Sequence, residues 1–275
     1  MLQFSIDKTR CTGCGQCVDD CISGIISLDE NAVPSIAPDL EALCIRCQHC
    51  LAVCPEGALS ILGKLPGDSA PLPPGSLACF DQMSLLVRGR RSYRHFRQEN
   101  VAPAVLTEIL NTVSYAPTGV NACQVTLTVI DDIQAMHRFQ RRSIAAFRAG
   151  NGQANVPERY ASMRDLPDDR LTERFFRTAP HLIVASAPPS APCGTEDVAI
   201  AIAYFDLLAQ SAGLGCVWWG LLRLLMSAAP EIRQSLGIPG DHVFSAALFG
   251  NPDIQFARTV QKDGAATIRR PDFSE

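Results

Sequence analysis

A secretion signal is missing: residues 1–22 contain no basic start followed by a long apolar core and a small-residue cleavage site. Nothing therefore directs the chain to an oxidising compartment, and its 12 cysteines are expected as thiols or metal ligands and not as disulfides. A membrane span is missing too, because the longest apolar region, residues 198–229, is interrupted by Asp206, Gln210 and Arg223. An excess of positive charge is absent: 24 Lys and Arg stand against 28 Asp and Glu, a formal charge of -4, and nucleic acid is excluded as a partner. The G-x-G-x-x-G turn of a Rossmann nicotinamide site is not present either, since Gly213 and Gly215 are followed by Trp218 where the third glycine belongs. These absences leave the expectation of a cytoplasmic protein, and 275 residues at 47% hydrophobic suit about two domains, one with a sizeable core.

What is present is a patterned set of cysteines. Cys11, Cys14, Cys17 and Cys21 are separated by two, two and three residues, and Cys44, Cys47, Cys50 and Cys54 repeat that spacing 33 positions later, with Pro55 directly after the last. The repeat extends past the cysteines, because S-G-I-I-S-L at residues 23–28 aligns with E-G-A-L-S-I at residues 56–61. A zinc site needs only two C-x-x-C pairs, and two copies of an ankyrin-length repeat cannot stack into a solenoid. The run resembles that of bacterial ferredoxins carrying two [4Fe–4S] clusters, and the resemblance covers residues 1–63. It implies crossed ligation: three closely spaced cysteines take three irons of one cubane while the fourth reaches the other cluster. Cys11, Cys14, Cys17 and Cys54 form one expected set, and Cys44, Cys47, Cys50 and Cys21 the other. Ile22 stands where the second run has Pro55, a departure that removes no ligand.

Residues 65–75 hold Pro66, Pro71, Pro73, Pro74, Gly67 and Gly75, a composition that removes backbone donors and favours an extended connector. The expected organisation is therefore a domain over 1–63, a Pro-rich linker over 64–80 and a second domain over 81–275. In the second, residues 81–89 and 103–115 have helical periodicity, and residues 124–130, 181–187 and 242–249 are short β-rich runs. The charged region 141–177 predicts a solvated helical hairpin or a lid. Residues 196–212 predict a helix apolar nearly all round, which must be buried in a core or between subunits, and which Gly213 and Gly215 end.

Residues 90–96, R-R-S-Y-R-H-F, place three guanidinium groups and a hydroxyl within five positions, a set that suits a phosphomonoester. Alone, such a segment reads first as a basic surface turn. It is followed in order by A-P-T-G-V-N-A-C-Q at 116–124, L-G-C-V-W-W-G at 214–220 and F-G-N-P at 249–252. Together these resemble the FMN-dependent nitroreductase family, whose pattern is R-x-S-x-R-x-F, A-P-S/T-x-x-N-x-Q, L-G-L-G-x-x-W-x-G and G-x-P, over residues 81–265. The resemblance implies an α+β domain that dimerises, with FMN in the interface of an intertwined homodimer. Arg90, Arg91 and Ser92 would grip the FMN phosphate, Arg94 would sit near the ribityl chain or the N1/O2 edge of the ring, and Pro117, Thr118 and Asn121 would approach from the neighbouring subunit. The segment at Trp219 and Gly220 would offer backbone groups to the N5/O4 edge, and Arg258 or Lys262 would close on the phosphate. Trp218 is expected in the core, no residue is marked as a proton donor, and Cys79, Cys123, Cys193 and Cys216 fit no metal spacing.

The whole chain is thus expected to be a small ferredoxin-like domain fused to a nitroreductase-like α+β FMN domain. It would be an oxidoreductase passing electrons from two [4Fe–4S] clusters to FMN and on to a nitroaromatic, quinone, activated alkene or halogenated aromatic, with a one-electron donor such as ferredoxin. A flavin-modifying or flavin-supplying protein, and a non-enzymatic electron-transfer subunit, are the rival readings.

Overall fold

The structure is a computed structural model that describes residues 1–149, 158–163, 165–262 and 264–273. Its contacts divide the chain into two units, the first comprising Met1–Ala78 with Gly119–Cys123 and the second Cys79–Thr118 with Gln124–Glu275.

The first unit is built twice from the same plan. Strand β1 (Ser5–Ile6) pairs antiparallel with β4 (Leu59–Ser60), and β2 (Ile26–Leu28) pairs with β3 (Pro34–Ile36). The short helices α1 (Gln16–Asp19) and α2 (His49–Ala52) occupy equivalent places in the two halves. The repeat is visible in backbone conformation. Gly13 and Arg46, Gly15 and Gln48, and Gly24 and Gly57, each pair 33 residues apart, all have positive φ. The first run uses glycine at Gly13 and Gly15, whereas the second forces Arg46 and Gln48 into the same left-handed turn, at φ 59° and 63°. Leu2, Ile25, Ile26, Leu51, Leu59 and Ile61 form its small core.

The second unit is organised by β6 (His181–Ala187), every residue of which is buried. It lies in a four-stranded antiparallel sheet of order β5-β6-β8-β7, with β5 (Thr126–Ile130), β7 (Gly215–Trp218) and β8 (Val243–Gly250). Alternation along a strand sends successive side chains to opposite faces. Accordingly Leu182, Val184, Ala246 and Leu248 join one apolar cluster, while Ile183, Ala185, Ala247 and Phe249 join another. A sheet apolar on both faces must be covered twice. Helices α4 (Pro103–Val113) and α7 (Gly194–Ser211) supply Ile109, Val113, Val198, Ile202 and Phe205 to one side. The other side receives Met136 and Phe147 from α5 (Ile133–Ala149), Leu171, Phe175 and Phe176 from α6 (Asp168–Phe176), Leu222 and Leu225 from α8 (Leu221–Ala228), and Ile232 from α9 (Pro230–Ser235).

Helix α3 (Phe80–Gly89) opens the unit with Cys79 as its cap, the Cys79 backbone N–H donating to Gln82 Oε1 at 3.2 Å. The region 141–177 departs from a solvated hairpin. Its charges occupy the outer faces of α5 and α6, but Phe147 and Phe175 stack edge-on at 5.2 Å, and both are fully buried with Phe176. Aromatic residues at helical spacing among charges are enough to anchor such a segment, each buried ring contributing about 1.5–3 kcal/mol. The part of this region at 150–157 and 164 lies outside the described residues.

Candidate functional site

In the first unit the chain turns bring the eight patterned cysteines into two cavities. One is lined by Cys11, Cys14, Cys17 and Cys54, the other by Cys21, Cys44, Cys47 and Cys50, so each collects three cysteines of one run and the fourth of the other. Apolar residues complete the walls, Ile6, Pro34 and Leu59 around the first and Ile25, Ile36 and Ile61 around the second. Among the described residues no three His, Cys, Asp or Glu side chains close on a single metal ion, and four thiols spread around an apolar cavity suit a polynuclear cluster instead. Backbone donors already point at sulfur: the N–H of Arg46 lies 3.4 Å from Cys44 Sγ and that of Ala58 lies 3.3 Å from Cys54 Sγ. Burial pushes the Cys50 thiol up to about 11, with Cys47, Cys44 and Cys21 adding to the effect, and burial likewise raises Cys17. Such thiols release their protons to a cation and not to water at neutral pH.

In the second unit, three of the four motif segments come together. Residues 90–96 run alongside β7, where Ser92 bridges Cys216 and the Tyr93 N–H donates to Cys216 O at 3.0 Å. They then reach the segment after β8, where Phe96 bridges Pro252, the Arg97 N–H donates to Asn251 O, and the Asp253 N–H donates to His95 O. Gly215 makes this approach possible, since a Cβ there would lie 2.7 Å from the Tyr93 ring. The remaining segment is divided between the units: Pro117 and Thr118 belong to the second, and Gly119–Cys123 to the first. Within the first unit the Asn121 side-chain amide donates to Ile45 O at 3.0 Å, between Cys44 and Cys47. Val120, Asn121 and Cys123 all have positive φ, so this is a tightly wound loop.

The basic residues separate into distinct surroundings. Arg91 lines a cavity of about 380 Å³ with Arg88, Thr259 and Lys262. Lys262 rather than Arg258 shares that cavity with Arg91. Arg90 does not line it; its Nη1 pairs with Asp206 at 3.1 Å. The Arg91 Nε in turn donates to Arg90 O at 2.6 Å. Arg94 is exposed, and its Nη1 donates to Ser92 O at 3.2 Å. Burial, together with Arg174 and Arg94 nearby, pulls the Arg177 guanidinium below its ordinary value, which marks a second concentration of positive charge.

The core position expected for Trp218 is taken by its neighbour Trp219. Trp218 is 41% exposed, with its indole N–H donating to Asp206 Oδ2 at 3.0 Å. Trp219 is buried, its indole donates to Phe175 O at 2.6 Å and its backbone N–H to Ala246 O at 2.7 Å, so both donors are engaged in the core. Gly220 caps the start of α8. Asp206, which sequence reasoning treated only as a break in an apolar stretch, is the hub of this region. Burial pushes its carboxyl up while Arg90 and the Trp218 indole pull it back, and the buried Cys216 thiol lies against it. The available signal was a single acid in the middle of a helix with apolar residues on both sides.

Comparisons with known proteins match two separate stretches of the chain. Residues 87–251 match the nitroreductase family, and residues 10–59 match the 4Fe-4S dicluster domain. An iodotyrosine deiodinase of Thermotoga neapolitana is 29% identical over 137 residues, 48% of this chain and 70% of that protein. An uncharacterized ferredoxin of Methanocaldococcus jannaschii is 37% identical over 62 residues, 22% of this chain and 78% of that protein. Among solved structures, a nitroreductase with bound FMN from Bacteroides fragilis superposes with a TM-score of 0.55 at 22% identity, covering 69% of this chain and 99% of the other. At that identity the likeness concerns the fold. Among the described residues no helix is long and apolar enough to cross a membrane.

Proposed function

Since the chain belongs to the nitroreductase family and carries a 4Fe-4S dicluster domain ahead of the family fold, we propose that it is an FMN-dependent oxidoreductase whose reducing equivalents enter at two [4Fe–4S] clusters and leave on a small organic acceptor. The observation that carries the reading is the sorting of eight cysteines into two four-cysteine cavities in the same chain as a cavity lined by Arg88, Arg91 and Lys262. Bound clusters move electrons one at a time and a flavin exchanges them singly or in pairs, which is the chemistry the two groups supply together.

The chain's own residues divide the work. Cys11, Cys14, Cys17 and Cys54 hold one cluster, and Cys44, Cys47, Cys50 and Cys21 the other. Arg91 and Lys262, with Arg88 beside them, supply fixed positive charge for a phosphate, and the planar fork of Arg91 suits bidentate contact. Ser92 and Arg94 extend that surface along residues 90–96, and Arg94 offers a pre-placed cation to an anionic ring. Pro117, Thr118 and Asn121 are proposed to serve the flavin of the neighbouring subunit. The acceptor class includes nitroaromatics, quinones, activated alkenes and halogenated aromatics, the last supported by the similarity to a deiodinase. A low-potential one-electron carrier such as ferredoxin is the proposed donor. The test is anaerobic reduction of the purified full chain, followed by a screen of those acceptors for flavin reoxidation. Flavin that is reoxidised stoichiometrically and survives repeated cycles supports the enzyme; flavin that is consumed or released sinks it.

A homodimer is part of this reading. On α7 the stripe Val198, Ala201, Ile202, Phe205 and Ala209 is buried in one chain, while Ile200, Ala203, Leu207 and Leu208 are only half-buried and Tyr204 is exposed. An apolar second face on such a helix calls for a cover. Size measurement in solution should therefore give a mass near twice 29.7 kDa, and a monomer that retains FMN would remove the dimer from the reading.

A further inference from the structure

We infer that Asp206 is a positioning residue of the basic cavity, acting through Arg90 on Arg91; the inference rests on the reading of that cavity as the FMN phosphate site. Asp206 sits in the middle of α7, within its buried stripe, and only 3% of it is accessible. A carboxylate so placed is costly unless it is paired and hydrogen-bonded. It caps no helix end. Its Oδ2 instead receives Arg90 Nη1 at 3.1 Å and the Trp218 indole N–H at 3.0 Å. These partners come from two chain segments, the stretch directly after α3 and the end of β7, so one carboxylate ties both to α7.

The connection continues from Arg90 to the cavity. The Arg90 carbonyl accepts from Arg91 Nε at 2.6 Å, and Arg91 then lines the cavity shared with Arg88 and Lys262. Fixing Arg90 on both its guanidinium and its carbonyl therefore fixes the direction in which the Arg91 fork enters. Asp206 also pairs with Arg90, whereas Arg88, Arg91 and Lys262 line the cavity itself. Two opposite expectations result. If Asp206 acted only through its charge, removing that charge would make the neighbourhood more positive and tighten anion binding. If it positions the arginines, removing it weakens binding despite the added positive charge.

The experiment compares FMN with riboflavin, which lacks the phosphate, on the full chain by flavin fluorescence titration. Asp206→Asn should weaken FMN about tenfold, the size of one lost charge-assisted hydrogen bond, while riboflavin affinity stays unchanged. Arg91→Ala should do the same, and the double variant should be little worse than either, because the two residues act in series. Arg90→Lys shortens the reach of the pair while keeping its charge; it should show part of the same FMN-specific loss and serves if Asp206→Asn does not fold. Unchanged or tighter FMN binding in Asp206→Asn overturns the inference, as does a parallel loss of FMN and riboflavin. Wild-type protein that binds the two flavins equally would instead remove the phosphate reading of the cavity.

Discussion

Replacing Cys54 with alanine should destroy the cluster of Cys11, Cys14 and Cys17 and spare the one whose other ligands, Cys44, Cys47 and Cys50, are its neighbours in sequence. Iron content should fall from about eight to about four per chain. The reason lies in the turn after each third cysteine. Cys17 lies in α1 and Cys50 in α2, and the short helix carries the chain away from its own cavity, so that Cys54 lines the cavity of the first run and Cys21 that of the second. Electrostatics repeat the grouping: Cys17 feels Cys54, Cys14 and Cys11, and Cys50 feels Cys47, Cys44 and Cys21. Because the first unit has a small core, losing a cluster also costs it stability, and a single variant would leave local and general damage mixed. The reciprocal pair separates them. In cluster-resolved spectroscopy Cys21→Ala should remove the signal that Cys54→Ala leaves. If each variant lost the cluster of its own run, the crossed assignment would be wrong.

The cysteine repeat, the buried strand β6 and the ordered motif segments were legible because each depends on local spacing. The short, continuously buried β-rich run His181–Ala187 and the 33-residue register survive in any context that folds them. What stayed hidden depends on partners distant in sequence. Trp218 and Trp219 are adjacent and alike, and only the engagement of Trp219 with Phe175 and Ala246 decides which is core. Asp206 looked like an interruption because its partners Arg90 and Trp218 lie 116 and 12 residues away. The expected domain end at residue 63 followed the last repeat of the pattern, whereas the first unit continues to Ala78 and takes in Gly119–Cys123, a loop whose motif residues point by resemblance to a flavin. Residues 141–177 were misjudged by average polarity, since three buried phenylalanines outweigh many charges that remain in water.

A low-potential one-electron donor should reduce the protein's flavin about a hundredfold faster than NADPH does. The missing Rossmann turn does not decide this, because a flavin can be served by a nicotinamide stacked on it without one. The expectation rests on the first unit. Eight cysteines in two lined cavities, backbone N–H groups aimed at Cys44 and Cys54, and left-handed turns at Arg46 and Gln48 are specialised features. They equip the chain for one-electron transfer, which reduction of a flavin by hydride does not itself require. Ferredoxin-type clusters work at about −400 mV, well suited to a strongly reducing one-electron partner. The comparison is made by anaerobic stopped-flow mixing on the full chain and on a chain with Cys14 and Cys47 both replaced by serine, which removes one proposed ligand from each cavity. Fast reduction by the one-electron donor should vanish in that variant, while the slow NADPH reaction persists at its original rate. Rapid reduction of the variant by NADPH, as fast as the intact protein is reduced by the one-electron donor, would be fatal to the proposed route, because the flavin would then fill without the clusters.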